Sequence, residues 1–209
     1  MTRADPAGEA LTIRPAVPAD IPVLETLIAA SARALGRGYY SEAETEAAIA
    51  HVFGVDSELV ADGSYLVAES GGTIVGCGGW SRRRTLFGSD RAATRDAGEV
   101  DPASEPARIR AFFVAPDAAR GGIGTALLAA CEAAAWAHGF RHTTLMATLP
   151  GEPFYARHGY RGDPAIGLDV GGVTLRFVPM MKNLLHKGNN ISRPYRRSEN
   201  SLMESTETP

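Results

Sequence analysis

The chain has 209 residues, 44% of them hydrophobic, which is enough for one domain with a sizeable core. A formal net charge of −3 and a pI near 6.0 give no broad basic field, so a nucleic-acid binder is not expected. No apolar run approaches the roughly 18 residues that a membrane span needs, and Cys77 and Cys131 form no metal-ligand spacing, so no membrane or metal partner is expected and both cysteines read as buried thiols.

Residues 1–10 lack the apolar core of a signal peptide and are read as a flexible N-terminus on a soluble, cytoplasmic protein. Leu11-Thr12-Ile13-Arg14 alternates as a strand does, and Pro15 with Pro18 closes it. Asp20 is expected to cap a helix whose first turn accommodates Pro22 and whose apolar stripe is Ile21, Leu24, Leu27, Ile28 and Leu35. Ser41, with Glu44 three residues on, predicts a capping box that opens a second helix. Between the two helices, Gly38-Tyr39-Tyr40 sets adjacent tyrosines in a bend. Tyr39 and Tyr40 are candidates to line a substrate pocket, and anchoring a helix corner is an equal alternative.

Ser64–Glu69 and Thr73–Trp80, joined at Gly71-Gly72, predict an antiparallel hairpin. Ser81 to Pro106 shows no sustained periodicity and reads as a long surface connection. Its Arg82-Arg83-Arg84 triplet is expected to be a solvated cluster rather than a receptor for an acidic group.

Ile109 to Val114 predicts a strand that stops at Ala115-Pro116-Asp117. A glycine loop, Arg120-Gly121-Gly122-Ile123-Gly124, leads into a helical pattern of Ile123, Leu127, Cys131 and Ala134 that ends at Gly139. Strand, glycine loop and helix in that order suit a phosphate or pyrophosphate. A helix start leaves backbone N–H groups unpaired and carries partial positive charge, and glycines let an anion reach them. The spacing is not Gly-x-Gly-x-x-Gly, and no Lys-Ser or Lys-Thr follows, so the dinucleotide and P-loop readings fail. Thr143–Thr148 predicts another strand, Pro153–Tyr160 a short helix capped by Gly159, and Val173–Val178 the last strand. Residues 183–209 carry little apolar content and read as a disordered tail.

Two of these segments resemble the GNAT superfamily of N-acetyltransferases. Gly121-Gly122-Ile123-Gly124 is similar to the end of its Gln/Arg-x-x-Gly-x-Gly/Ala cofactor motif, although the first motif position falls on Ala119 and the arginine comes next, at Arg120. Phe154-Tyr155 before Gly159-Tyr160 is similar to the helix that turns a tyrosine toward the cofactor sulfur. The resemblance covers residues 11–182 and implies an α/β (α+β) domain with a central mixed, mostly antiparallel sheet flanked by helices. It implies acetyl-CoA as acyl donor, bound through Phe112, Phe113, Val114, Arg120, Gly121, Gly122, Ile123, Gly124 and Thr125, and Tyr155 as general acid.

The strand glutamate that many members use as a base is absent, because Arg108 stands there; Glu105 and His158 are alternatives, and the base stays unassigned. The implied activity is transfer of an acetyl group to a primary amine of a small molecule or peptide. The alternatives are another acyl group or acceptor, and a non-catalytic acyl-CoA-binding regulator. Tyr39, Tyr40 and Glu105 are the candidate substrate contacts, and a homodimer is the default assembly.

Overall fold

The computed structural model describes residues 10–85, 89–91, 96 and 98–184. The expected flexible segment is described only at Ala10, and the expected tail lies outside the described residues from 185 onward. Asn183 still pairs in the sheet and Leu184 is buried, so the folded unit runs two residues past 182.

Along the chain come β1 (Thr12–Pro15), α1 (Ile21–Leu35), α2 (Glu42–His51), α3 (Ser57–Ala61), β2 (Tyr65–Ser70), β3 (Thr73–Ser81) and β4 (Ala107–Val114). Next are α4 (Ile123–Ala137), β5 (His142–Thr148), α5 (Glu152–Arg157), β6 (Arg161–Gly162), β7 (Ile166–Val170) and β8 (Val173–Asn183). The strands form one sheet in the order β1-β2-β3-β4-β5-β8-β6, with β7 also paired to β8. β4 and β5 run parallel and the other neighbours antiparallel, which is the mixed, mostly antiparallel sheet expected.

Period-2 alternation divides the sheet between two helical layers. From β2, Tyr65 and Val67 point into a cluster with Leu24, Leu27 and Ile28 of α1 and Leu59 of α3, whereas Leu66 and Ala68 pack toward α4. On the α4 face, Leu128, Cys131 and Ala135 meet Ile109, Leu145, Val178 and Met180. Both cysteines are free and buried, and burial pushes the Cys77 thiol up to about 12. No helix of the described residues is long and apolar enough to cross a membrane.

Several local expectations change. Asp20 makes no side-chain cap on α1; its carboxylate turns back to accept from the Val17 N–H (2.9 Å) and to pair with Arg14 (2.8 Å), because a 3-10 turn at 18–20 precedes the helix. Leu35 is 41% exposed at the open end of α1, and Ser31 and Ala32 take its place on the buried face. The start of the 81–106 connection is not irregular. Val100 N–H donates to Arg82 O (2.7 Å) and Arg84 N–H to Gly98 O (2.8 Å), so pairing continues past β3 on a ladder too exposed and charged to show apolar alternation.

β7 was not expected, yet Gly171-Gly172 joins it to β8 with positive φ at both glycines, as Gly71-Gly72 does for β2 and β3. Both pairs supply the left-handed backbone that a two-residue hairpin turn requires.

The capping box at α2 forms as predicted: Ser41 Oγ accepts from Glu44 N–H (3.2 Å) and the Glu44 carboxylate accepts from Ser41 N–H (2.7 Å). The Ser41 backbone N–H, then its hydroxyl, holds the Glu44 carboxyl below its ordinary 4.5, so this contribution is present above that pH and lost as pH falls through the lowered value. Ser41→Ala should cost about 1 kcal/mol in urea unfolding at neutral pH.

Candidate active site

The site begins with a failure of pairing. β4 contacts β5 at Ala107↔Thr143 and Arg108↔Thr144, and no register pair joins the two strands beyond that point. Among the described residues, β4 thus runs on from Phe112 to Val114 with no register pair to β5. β4 also bulges against β3: Cys77 opposes Phe113 and Gly79 opposes Arg110, so one extra residue lies on β4. Ala111 takes up the bulge at φ 54, a left-handed conformation uncommon for alanine. The buried Tyr65 hydroxyl, 3.2 Å from Ala111 O and 3.3 Å from Cys77 Sγ, braces it. Opposite the bulge, Gly78 leaves room for Phe112, whose ring a Cβ would approach to 2.6 Å.

The opening between the strands belongs to a cavity of about 680 Å³ lined from both faces of the sheet. At the α4 end stand Ala119, Arg120, Gly122, Gly124 and Thr125. Arg120 and Gly122 both have positive φ (67 and 83), which turns the loop sharply into the helix. The first bond of α4 is donated by Ala126 N–H to Gly122 O (3.0 Å), and no side chain caps the N-terminus. The preceding N–H groups of the helix start have no intrahelical acceptor. A Cβ at Gly122 would meet open space, and one at Gly124 would press on the Phe154 ring at 3.3 Å. This end fits a pyrophosphate: helix N-terminus, glycine backbone and the Arg120 cation. Gly121 and Ile123 lie in the same loop but do not line the cavity, and the Ile123 side chain packs into the core against Leu127 and Ala68.

α5 brings Tyr155 to the cavity wall. Its ring is held by Phe112 (6.3 Å between centroids), Phe154 (5.0 Å) and Tyr160 (5.6 Å), and the residue is 9% exposed. Burial raises its phenol above the ordinary 10, so it is protonated at neutral pH. The short helix ends at Gly159 (φ 87), and Tyr160 turns back so that its hydroxyl donates to Glu132 (3.0 Å) and lies 2.9 Å from Thr143 Oγ1. Tyr155 is thus carried by an element anchored to α4 and β5.

At the α1–α2 end the cavity wall is mainly apolar and aromatic, with Ser31 and Thr45 as its uncharged polar members. Phe53 stands edge-on to Phe113 (5.3 Å) and to Phe177 (6.4 Å), with Met146, Val52 and Leu35 beside them. Both expected tyrosines line this end. Tyr39 is 52% exposed at the mouth. The Tyr40 hydroxyl is committed to structure, donating to Arg176 O (2.6 Å) and accepting from Leu149 N–H (2.9 Å), so the anchoring alternative describes its polar end. Arg110, also in the lining, is buried and ion-paired with buried Asp56 (2.7 Å), whose other oxygen accepts from Glu58 N–H and Leu59 N–H.

Glu105 is not brought to the cavity. Its carboxylate pairs with Arg84 (2.8 Å) and accepts from Asp101 N–H (3.0 Å), and it is absent from the lining. The arginine triplet is paired residue by residue, Arg82 with Glu99, Arg83 with Asp62 and Arg84 with Glu105. His158 lines the cavity at the α4 end. Its Nδ1 donates to Phe154 O (2.8 Å), and its Nε2 lies 3.1 Å from the Thr125 hydroxyl. Phe53, Met146 and Phe177 were missed as site residues because each reads locally as core; nothing in spacing marks one wall from residues 53, 146 and 177.

Residues 61–162 match the model of the family described as an acetyltransferase (GNAT) domain. No curated protein matches the chain in sequence. The fold is similar to that of a GCN5-related N-acetyltransferase from Rhodopseudomonas palustris, with a TM-score of 0.63 and 23% identity over 87% of this chain and 100% of that one. It is also similar to the PaiA N-acetyltransferase of Thermoplasma acidophilum, solved with coenzyme A, at TM-score 0.58 and 17% identity over 84% of this chain and 99% of that one. A ribosomal-protein-alanine N-acetyltransferase from Brucella melitensis has TM-score 0.52 and 20% identity over 83% and 99% of the two chains. At these identities the likeness is one of fold.

Proposed function

We propose, on the match of residues 61–162 to the acetyltransferase (GNAT) domain model, that the chain moves an acetyl group from acetyl-CoA to a primary amine of a small molecule or peptide by direct attack. The observation that carries this reading is that Tyr155 lines one cavity with Phe112 to Val114, where β4 has no register pair to β5, and with the start of α4, which no side chain caps. Acetyl-CoA supplies an activated thioester, whose C–S bond breaks as the C–N bond to the amine forms.

The α4 N-terminus with Arg120 and Thr125 takes the pyrophosphate, as the backbone of Gly122 and Gly124 permits. The β4 backbone from Phe112 to Val114 pairs with the pantetheine arm and presents an N–H to the carbonyl oxygen as negative charge develops there. Tyr155 gives its proton to the leaving sulfur. No aspartate or glutamate stands among the described lining residues, and His158 faces the phosphate end. The amine therefore enters neutral and loses its proton to water, from which Tyr155 is reprotonated.

Thermal unfolding of the full chain with acetyl-CoA, and with NAD and ATP as controls, tests the donor assignment. Acetyl-CoA at 100 times its dissociation constant should add about 2.7 kcal/mol of stability. Equal shifts with ATP, or no shift, would reduce the loop to a generic phosphate site or a plain turn.

A further inference from the structure

The two ends of the cavity differ in chemistry, and that difference bears on the acceptor. At the α1–α2 end the wall is Phe53, Phe113 and Phe177 in edge-to-face contact, with Met146 beside them and Tyr39 at the mouth. The charged side chains among the described lining residues are Arg110, Arg120 and Arg157, all cationic. Arg110 is neutralised by buried Asp56, and the other two belong to the α4 and α5 end. A second ammonium group on an acceptor would find no carboxylate among the described lining residues and would surrender its hydration to a mainly apolar wall. An aromatic ring would find edge-to-face partners and bury apolar surface.

We propose that the α1–α2 end selects an acceptor whose amine is its one positive charge and is carried on an apolar group of aromatic size, an arylalkylamine in chemical class. The inference rests on the acetyl-transfer reading above and narrows it. Polyamines, lysine side chains in basic peptides and aminoglycoside-type polycations are the acceptors this end disfavours.

The test measures CoA release by the full chain with phenethylamine, spermidine and a lysine peptide of basic sequence, alongside the acetyl-CoA melting shift. Burying a phenyl-sized group predicts a kcat/KM for phenethylamine about 10- to 100-fold above the other two. Tyr39→Glu sets a carboxylate at the exposed mouth, where folding is little affected, and should narrow that ratio at least about 10-fold in favour of spermidine. Phe53→Ala should raise the KM for phenethylamine more than it lowers kcat, and Phe53→Leu should recover part of it.

A melting shift with acetyl-CoA together with preferential use of spermidine or the lysine peptide overturns this inference and leaves acetyl transfer standing. The same holds if Tyr39→Glu leaves the ratio unchanged. Absence of any acetyl-CoA shift overturns both.

Discussion

Tyr155→Phe should lower turnover about 100-fold or more while leaving the acetyl-CoA melting shift nearly unchanged. The substitution removes one oxygen from a ring that Phe112, Phe154 and Tyr160 hold in place, so the packing that positions α5 survives. In the proposed mechanism, what is lost is the proton for the departing thiolate. The pH profile separates this role from a purely structural one. Burial raises the Tyr155 phenol above 10, so the acid form persists through the range in which amines begin to deprotonate. With no carboxylate among the described lining residues to act as base, kcat/KM should rise with pH as the neutral amine fraction grows, and any alkaline fall should lie above 10 in the parent protein. Turnover of Tyr155→Phe within about threefold of the parent, in rate or in pH profile, would remove the tyrosine from the mechanism.

Asp56→Ala should cost about 3–5 kcal/mol in denaturant unfolding, a large share of the stability of one domain. Asp56 and Arg110 are fully buried and 2.7 Å apart, and the change leaves the guanidinium inside without that carboxylate. Asp56 also accepts from two N–H groups at the start of α3, so Asp56→Asn, which keeps an acceptor oxygen, separates lost capping from lost charge. If the ion pair dominates, Asp56→Asn should remain nearly as damaging as alanine, and Asp56→Ala combined with Arg110→Met should recover most of the loss, because an apolar pair needs no counter-charge. The pair ties the α3 start to β4 one residue before the bulge at Ala111, so the same variants should weaken acceptor use more than acetyl-CoA binding. A cost below about 1 kcal/mol would show that the pair contributes little.

Much of this was legible in the residues. The glycine loop and α4 follow from short-range rules: Gly122 at positive φ, a start with no side-chain cap, and an end at Gly139. The short helix α5 was legible for a similar reason, since Phe154-Tyr155 and the capping Gly159 lie within two turns. The second Gly-Gly hairpin carried the same signal as the first and went unread because the flanking Ile166–Val170 run is largely exposed and shows weak alternation.

By itself the sequence determined most of the elements and their order, α3, β6 and β7 excepted, and the glycine loop before α4, because caps, turns and amphipathic stripes are set by interactions among residues a few positions apart. The tertiary structure alone decided what surrounds that motif. It withdrew Glu105 into an ion pair with Arg84, bonded the Tyr40 hydroxyl to backbone and turned His158 toward Thr125. It also gathered Phe53, Phe113, Met146 and Phe177 into one wall, and joined Asp56 to Arg110. Contacts of that kind are fixed by strand register and helix packing across separations from 21 to 136 residues, over which no periodicity in a single sequence reports which side chains will meet.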